Sequence, residues 1–111
     1  LAKAMAQQPR LLLLDEPTTY LDIGYQIQMM DIVRNWQKTT GVTVVAVLHD
    51  LNLASLYCDR ILLLDKGRQV QVGRPDDILR SSLIEDVYGT RPIVLDHPIH
   101  HLPQIMLRAG G

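Results

Sequence analysis

Four leucines, Leu11 to Leu14, run directly into two carboxylates, Asp15 and Glu16. A continuous apolar run of this length predicts a short buried strand, and its C-terminal edge is where open α/β sheets present chemistry. Residues 1–8 are alanine-rich and predict the tail of a helix that stops near Pro9. After a polar turn over residues 17–22, the apolar residues Ile23, Ile27, Met30, Val33 and Trp36 recur at helical spacing, which predicts a helix over about residues 24–38. Gly41 marks the turn that follows. Residues 42–48 are then β-branched and almost wholly apolar, the composition of an interior strand covered on both faces.

The second half is more finely divided. His49 and Asp50 end the apolar strand, and residues 51–58 predict a short helix. Residues 60–65 form another apolar strand, Lys66–Gly67 is a tight-turn pair, and residues 68–73 alternate polar with apolar, which predicts a hairpin whose second strand faces water on one side. Pro75, Asp76 and Asp77 open a further helix with proline and acids at the end the dipole favours. Helical turns continue to Tyr88 with a break expected at Ser81–Ser82. Residues 91–96 suggest an edge strand, and residues 97–111 are expected to be an irregular tail. The domain reading is therefore residues 1–96 as one α/β portion and residues 97–111 as its tail.

Composition narrows the class. The 111 residues are 47% hydrophobic, enough for a core. The formal net charge is -1 and the eleven Lys and Arg residues are scattered, so no basic stripe invites nucleic acid. The single cysteine, Cys58, excludes an internal disulfide and reads as a small buried filler. No apolar run approaches the ~18 residues of a spanning helix.

Two strands joined by a helix would bring Asp15 and Glu16 from one strand end towards His49 and Asp50 from the next. Two adjacent acids are costly to bury without partners. Asp15 suits Mg²⁺, which keeps waters and takes few protein carboxylates beside substrate phosphates. Glu16 can orient or deprotonate an attacking water, and His49 can donate to an anionic oxygen. Against this stand a solvated turn for Asp15–Glu16 and a hydrogen-bonded structural role for His49. His97, His100 and His101, near Asp96, raise a metal-ligand reading, but their proline-rich flanks and lack of a cysteine partner favour a surface cluster. Tyr25 and Trp36 are assigned to helix packing or to a helix–subunit boundary rather than to adenine stacking.

The segment from Leu11 to Asp22, LLLLDEPTTYLD, resembles the Walker B motif and D-loop of ABC-type ATPases. Val47–Leu48–His49–Asp50–Leu51 resembles the switch-histidine segment of the same family. Asp59 to Ile61, Leu64 to Arg68 and Val72–Gly73 resemble its next strand and hairpin, in the same order. The resemblance implies the C-terminal part of a P-loop NTPase domain of ABC type, α/β, with a mainly parallel sheet flanked by helices. It implies Asp15 as the Mg²⁺-organising acid, Glu16 as the residue that activates water, and His49 as a sensor of the ATP γ-phosphate. Leu21 and Asp22 are implied to touch the nucleotide site of a second ATP-binding subunit. Residues 1–7 match the helix that follows the family's signature sequence. The Walker A loop, the glutamine loop and the signature itself do not occur in the 111 residues, so the chain is expected to be an inactive fragment of an ATPase.

The wording from Thr18 to Ile23 and from Val47 to Ala54, with the region from Pro75 to Gly89, is similar to importer ATPases of the iron-siderophore, haem and cobalamin group. That likeness implies a transmembrane permease and an extracytoplasmic solute-binding protein as partners, no nucleic acid, and a peripheral place on the cytoplasmic face of the cell membrane. Two other readings share these motifs: a non-transport ABC ATPase acting on nucleic acid or ribosomes, and a non-catalytic ABC-like assembly module.

Overall fold

A computed structural model describes residues 11–109. The expected helix over residues 1–8 lies outside them. The chain forms two compact units that divide between His49 and Asp50.

The first unit is a βαβ crossover. Strand β1 (Leu11–Asp15) and strand β2 (Thr43–Val47) pair in parallel and are joined by helix α1 (Ile23–Thr40). The register runs from Leu11 opposite Thr43 to Asp15 opposite Val47. Alternation along the strands sorts the side chains onto two faces. Leu12 is buried and Leu14, Val44 and Ala46 are half-buried, whereas Leu11, Leu13, Val45 and Val47 are exposed. The reading of residues 42–48 as covered on both faces is therefore met on one face only, because a single crossover helix can lie against only one side of its two strands. Helix α1 buries Met30 and Val33 but leaves Ile23 exposed, so the apolar stripe is used mainly in its middle. Gly41 ends the helix at φ 74°, and its N–H bonds to the Gln37 carbonyl at 2.8 Å. A left-handed residue at that position releases the chain into β2 and favours glycine, which has no Cβ to clash.

The second unit opens with helix α2 (Leu51–Tyr57) and the antiparallel hairpin of β3 (Ile61–Asp65) and β4 (Arg68–Gly73). Lys66 and Gly67 both have positive φ, 52° and 76°, the requirement of a tight turn whose twist matches the strands. The register slips between Leu63 and Leu64. Helix α3 (Pro75–Ile78) and helix α4 (Ser81–Tyr88) follow. Leu53, Ala54, Ile61, Leu63, Ile78, Leu79 and Ile84 are buried apolar residues of this unit, with Ile78 fully enclosed. The expected break at Ser81–Ser82 falls instead at Leu79–Arg80. Ser81 starts α4, and its hydroxyl donates to the Pro92 carbonyl at 3.1 Å. Cys58 is half-buried, and burial, helped by the Asp59 carboxylate, pushes its thiol above the ordinary range. That supports packing rather than reactivity.

The tail departs most from expectation. Strand β5 (Ile93–Asp96) was foreseen, but part of the segment expected to be irregular is strand β6 (Pro103–Met106), paired antiparallel to it. Residues 97–101 make the reversal. The His97 N–H bonds to the Leu102 carbonyl at 2.8 Å, and the His101 N–H to the His97 carbonyl at 2.9 Å. Pro103 begins β6, where its missing N–H costs least. The short PQIM sequence has too little alternation to declare itself; pairing with β5 and anchorage to α2 make it a strand.

Gly73 ends β4 against the start of α3. A Cβ there would meet Asp77 Oδ2 at 2.9 Å, and that oxygen already accepts from the Arg74 N–H at 3.1 Å. Gly73→Ala is therefore expected to destabilise by about 1–3 kcal/mol, through overpacking or loss of the Asp77 bond. Chemical denaturation of the parent and variant proteins checks it. Equal midpoints would show that Asp77 can move aside freely.

Candidate functional site

The parallel register delivers the site. Asp15 is the last residue of β1 and lies opposite Val47. The next N–H, that of Glu16, donates to the Val47 carbonyl at 2.9 Å and carries the pairing one step past the strand. Glu16 then turns away with φ 49°. For a residue with a Cβ this left-handed conformation costs roughly 1–2 kcal/mol, and such residues persist where surrounding contacts hold them.

Those contacts are visible. Glu16 Oε1 and His49 Nε2 are hydrogen-bonded, joining residues 33 positions apart in the chain. The Thr19 hydroxyl donates to Glu16 Oε2 at 3.5 Å, a long and weak bond. The His49 side chain is 73% exposed and that of Glu16 37%, so the pair is open to solvent and to a ligand. Two of the residues singled out in the sequence are thus brought together directly. Asp15 is beside them in the chain, with an exposed side chain. Thr19 was not singled out; the only sequence signal for it is a hydroxyl three residues after Glu16.

The two aspartates at helix starts differ. Asp50 is the N-cap of α2, and its Oδ1 accepts from the Asn52 N–H at 2.9 Å and the Leu53 N–H at 3.1 Å. Its carboxylate is committed to two otherwise unpaired helix donors. It is a structural residue, although the strand-end pattern grouped it with the chemistry. Asp22 is the N-cap of α1 by backbone geometry, but its side chain makes no capping bond. Leu21 is held by its N–H to the Thr18 carbonyl at 3.1 Å, and Gln26 Nε2 donates to the same carbonyl at 3.3 Å. Thr18 is buried, so the turn between Glu16 and α1 is pinned while the Asp22 carboxylate stays exposed.

Among the described residues no group of three or more His, Cys, Asp or Glu side chains could hold a metal ion. His97 shows why the three histidines do not form such a group. Its Nδ1 accepts from the Ile99 N–H at 3.0 Å and the His100 N–H at 3.2 Å, and its ring lies 4.8 Å from that of His100. The first histidine is used to build the reversal before β6. For Mg²⁺, the hard-oxygen donor Asp15 fits a mode in which one carboxylate works beside retained waters and phosphate oxygens.

Comparisons with known proteins place the chain among relatives with one shared role in their names. The chain is 39% identical over 106 residues to the ferric enterobactin transport ATP-binding protein FepC of Escherichia coli, covering 96% of the chain and 39% of that protein. It is 46% identical over 96 residues to the hemin import ATP-binding protein HmuV of Vibrio parahaemolyticus, covering 86% of the chain and 37% of the relative. A solved metal-chelate-type ABC transporter in an inward-facing conformation superposes with a TM-score of 0.82 at 24% identity, over 95% of the chain and 43% of the transporter chain. No family model matches. By sequence the chain is similar to the ABC transporter ATP-binding subunits, and its α/β fold is that of an ABC-type P-loop NTPase domain. Within that family its likeness is to the subunits of siderophore and haem importers. It spans about two-fifths of the length of these relatives.

The contrast between the two aspartates gives a direct test. Asp50→Ala removes a cap accepting two N–H groups and should lower stability by about 0.5–2 kcal/mol. Asp22→Ala removes no cap bond and should stay within about 0.5 kcal/mol of the parent, as for surface substitutions. Thermal unfolding of the two variants side by side checks the order. A larger loss for Asp22→Ala would show that its carboxylate is structural.

Proposed function

We propose that the chain is the C-terminal part of an ATP-hydrolysing subunit that energises import of an iron-siderophore-like solute. The observation that carries the reading is the hydrogen bond between Glu16 and His49 at the carboxyl end of a parallel strand pair, in a chain 39–46% identical to importer ATP-binding proteins. The exposed apolar face of Leu11, Leu13, Val45 and Val47 supports placement within a larger domain in which a further layer covers it. Activity then belongs to the full-length subunit, since the 111 residues contain no GxxxxGK[ST] loop to cradle phosphates.

In this reading Glu16 receives the proton of, or orients, the water that attacks the γ-phosphate of ATP. His49 does two things. In the chain as it stands its Nε2 is hydrogen-bonded to Glu16 Oε1, and once the nucleotide is bound the imidazole N–H can be redirected from the carboxylate to a phosphate oxygen. The left-handed backbone at Glu16 is compatible with a side chain aimed by its site rather than by strand alternation. Asp15 would hold Mg²⁺ through its waters, and the ion when bound would neutralise developing phosphate charge.

The remaining assignments follow the family. Leu21 and Asp22 are proposed to meet the nucleotide site of a second ATP-binding subunit, and the Asp22 carboxylate, which makes no capping bond to α1, supports this. A transmembrane permease and an extracytoplasmic solute-binding protein complete the importer. No helix among the described residues is long and apolar enough to cross a membrane; the peripheral place on the cytoplasmic face follows from the family likeness alone. The formal charge of -1 supplies no attraction for nucleic acid.

Glu16→Gln in the full-length subunit should lower ATP turnover by about 100-fold or more, the scale of a lost general base, while ATP binding stays close to the parent's. His49→Ala should also lower turnover and leave much of the binding. Steady-state hydrolysis with an equilibrium nucleotide titration checks both. Turnover near the parent's in folded, ATP-binding Glu16→Gln would remove Glu16 from the chemistry.

Asp22→Ala should weaken ATP-driven dimerisation and turnover without a matching loss of thermal stability. Sedimentation in the presence of ATP, alongside hydrolysis and unfolding, separates the possibilities. Reduced stability with unchanged dimerisation and unchanged turnover per folded molecule would show that Asp22 is not at the subunit boundary.

A further inference from the structure

Asn52 occupies the first turn of α2, and its side chain reaches across to β6. Its Oδ1 accepts from the Ile105 N–H at 2.6 Å, and its Nδ2 donates to the Ile105 carbonyl at 3.2 Å. The Gln104 Nε2 donates back to the Asn52 backbone carbonyl at 3.4 Å. A primary amide that pairs with both backbone groups of one residue behaves as one rung of a strand. In an antiparallel strand the N–H and C=O of a residue point to the same edge. Those of Ile105 point to Asn52, so they point away from β5. Strand β6 therefore has β5 on one edge and the Asn52 amide on the other.

The position of this clamp in the chain gives it its interest. The Asn52 backbone N–H is also one of the two donors capped by Asp50, and Asp50 directly follows His49. One residue thus holds the hairpin by its side chain and the start of α2 by its main chain. A helix of seven residues has little stability of its own, so its first turn depends on such external bonds. Without the Asn52 side chain, Ile105 would present an unpaired edge to water, and α2 would keep only the long bond from Gln104 to its main chain.

We propose that Asn52 is a positioning residue for the hydrolytic step: it fastens the β5–β6 hairpin to the start of α2 and so fixes the backbone from which His49 projects. This rests on the reading of His49 given above. Asn52 touches no reacting atom in this account; it acts through Asp50 and the main chain. The hairpin becomes part of the working unit of the histidine segment, and loosening it should lower turnover without weakening ATP binding.

The test compares the full-length subunit with its Asn52→Ala and Asn52→Asp variants by hydrogen–deuterium exchange and steady-state ATP hydrolysis. Asn52→Ala should speed exchange across residues 103–106 and 51–57 and lower kcat roughly fivefold, the scale of one lost hydrogen bond, with KM for ATP unchanged. Asn52→Asp keeps an acceptor for the Ile105 N–H but loses the donor to its carbonyl. It should retain more protection at residues 103–106 than alanine and show an intermediate kcat. It also provides a second folded comparison if alanine unfolds α2. Faster exchange with unchanged kcat would overturn the proposal, because the hairpin would be fastened but irrelevant to His49. Unchanged exchange in both variants would overturn it as well, because the clamp would not exist in solution. His49→Ala is run alongside. If that variant hydrolyses ATP like the parent, the reading of His49 fails, whatever the Asn52 variants do to exchange.

Discussion

The parallel pairing of β1 with β2 is the constraint on which the proposed chemistry depends. Opposed residues advance one for one, so placing Leu11 against Thr43 fixes Asp15 against Val47 and brings Glu16 to the Val47 carbonyl. A slip of one residue would exchange the two faces of the sheet and place the buried Leu12 in water. It would also shift Glu16 by about 3.3 Å along the strand, enough to break its bond to His49. The leucine run therefore positions the carboxylate as well as filling space. Helix α1 sets the distance between the strands in sequence, and the pinned turn at Thr18 and Gln26 sets how the chain enters it.

Most of the first unit was legible because its signals are redundant. The apolar run before Asp15, the helical recurrence of Met30 and Val33, Gly41 and the β-branched run to Val47 each point to one βαβ crossover. The hairpin through Lys66–Gly67 was legible for the same reason. The sequence could also bring Glu16 and His49 to neighbouring strand ends, since sequential parallel strands are commonly neighbours. Nothing in residue spacing says that they bond directly, or that Thr19 joins them. Those contacts depend on a left-handed backbone at Glu16, which a glutamate does not advertise.

The failures have a shared cause. Strand β6, the start of α4 at Ser81 and the role of Asn52 all depend on partners far along the chain or across a turn. A four-residue PQIM segment has no periodicity to read, and Asn in a helix's first turn looks like an ordinary polar residue. His97 is a similar case. Histidines spaced along a proline-rich tail suggest either ligands or solvent-exposed side chains, whereas here a ring nitrogen accepts two backbone N–H groups and shapes a reversal. Local chemistry predicted the surface character of this cluster but not its structural use.

Asp22 and Asp50 show how far residue type alone can carry a functional reading. Both are aspartates at N-cap positions, both follow a strand of the parallel pair, and both adopt extended backbone angles. Only Asp50 spends its carboxylate on the helix. A cap that is not used leaves α1 with unsatisfied donors that water can reach, a small cost in an exposed first turn. It also leaves a negative charge uncommitted to any described residue at the edge of the segment that begins with Asp15 and Glu16. In a subunit that closes on a partner, a charged side chain free of local bonds can form new ones across the boundary without first breaking old ones. The same reasoning removes Asp50 from the chemistry: to serve a ligand it would have to abandon two helix donors. The useful distinction between the two residues therefore lies in their existing bonds, which composition and spacing do not contain.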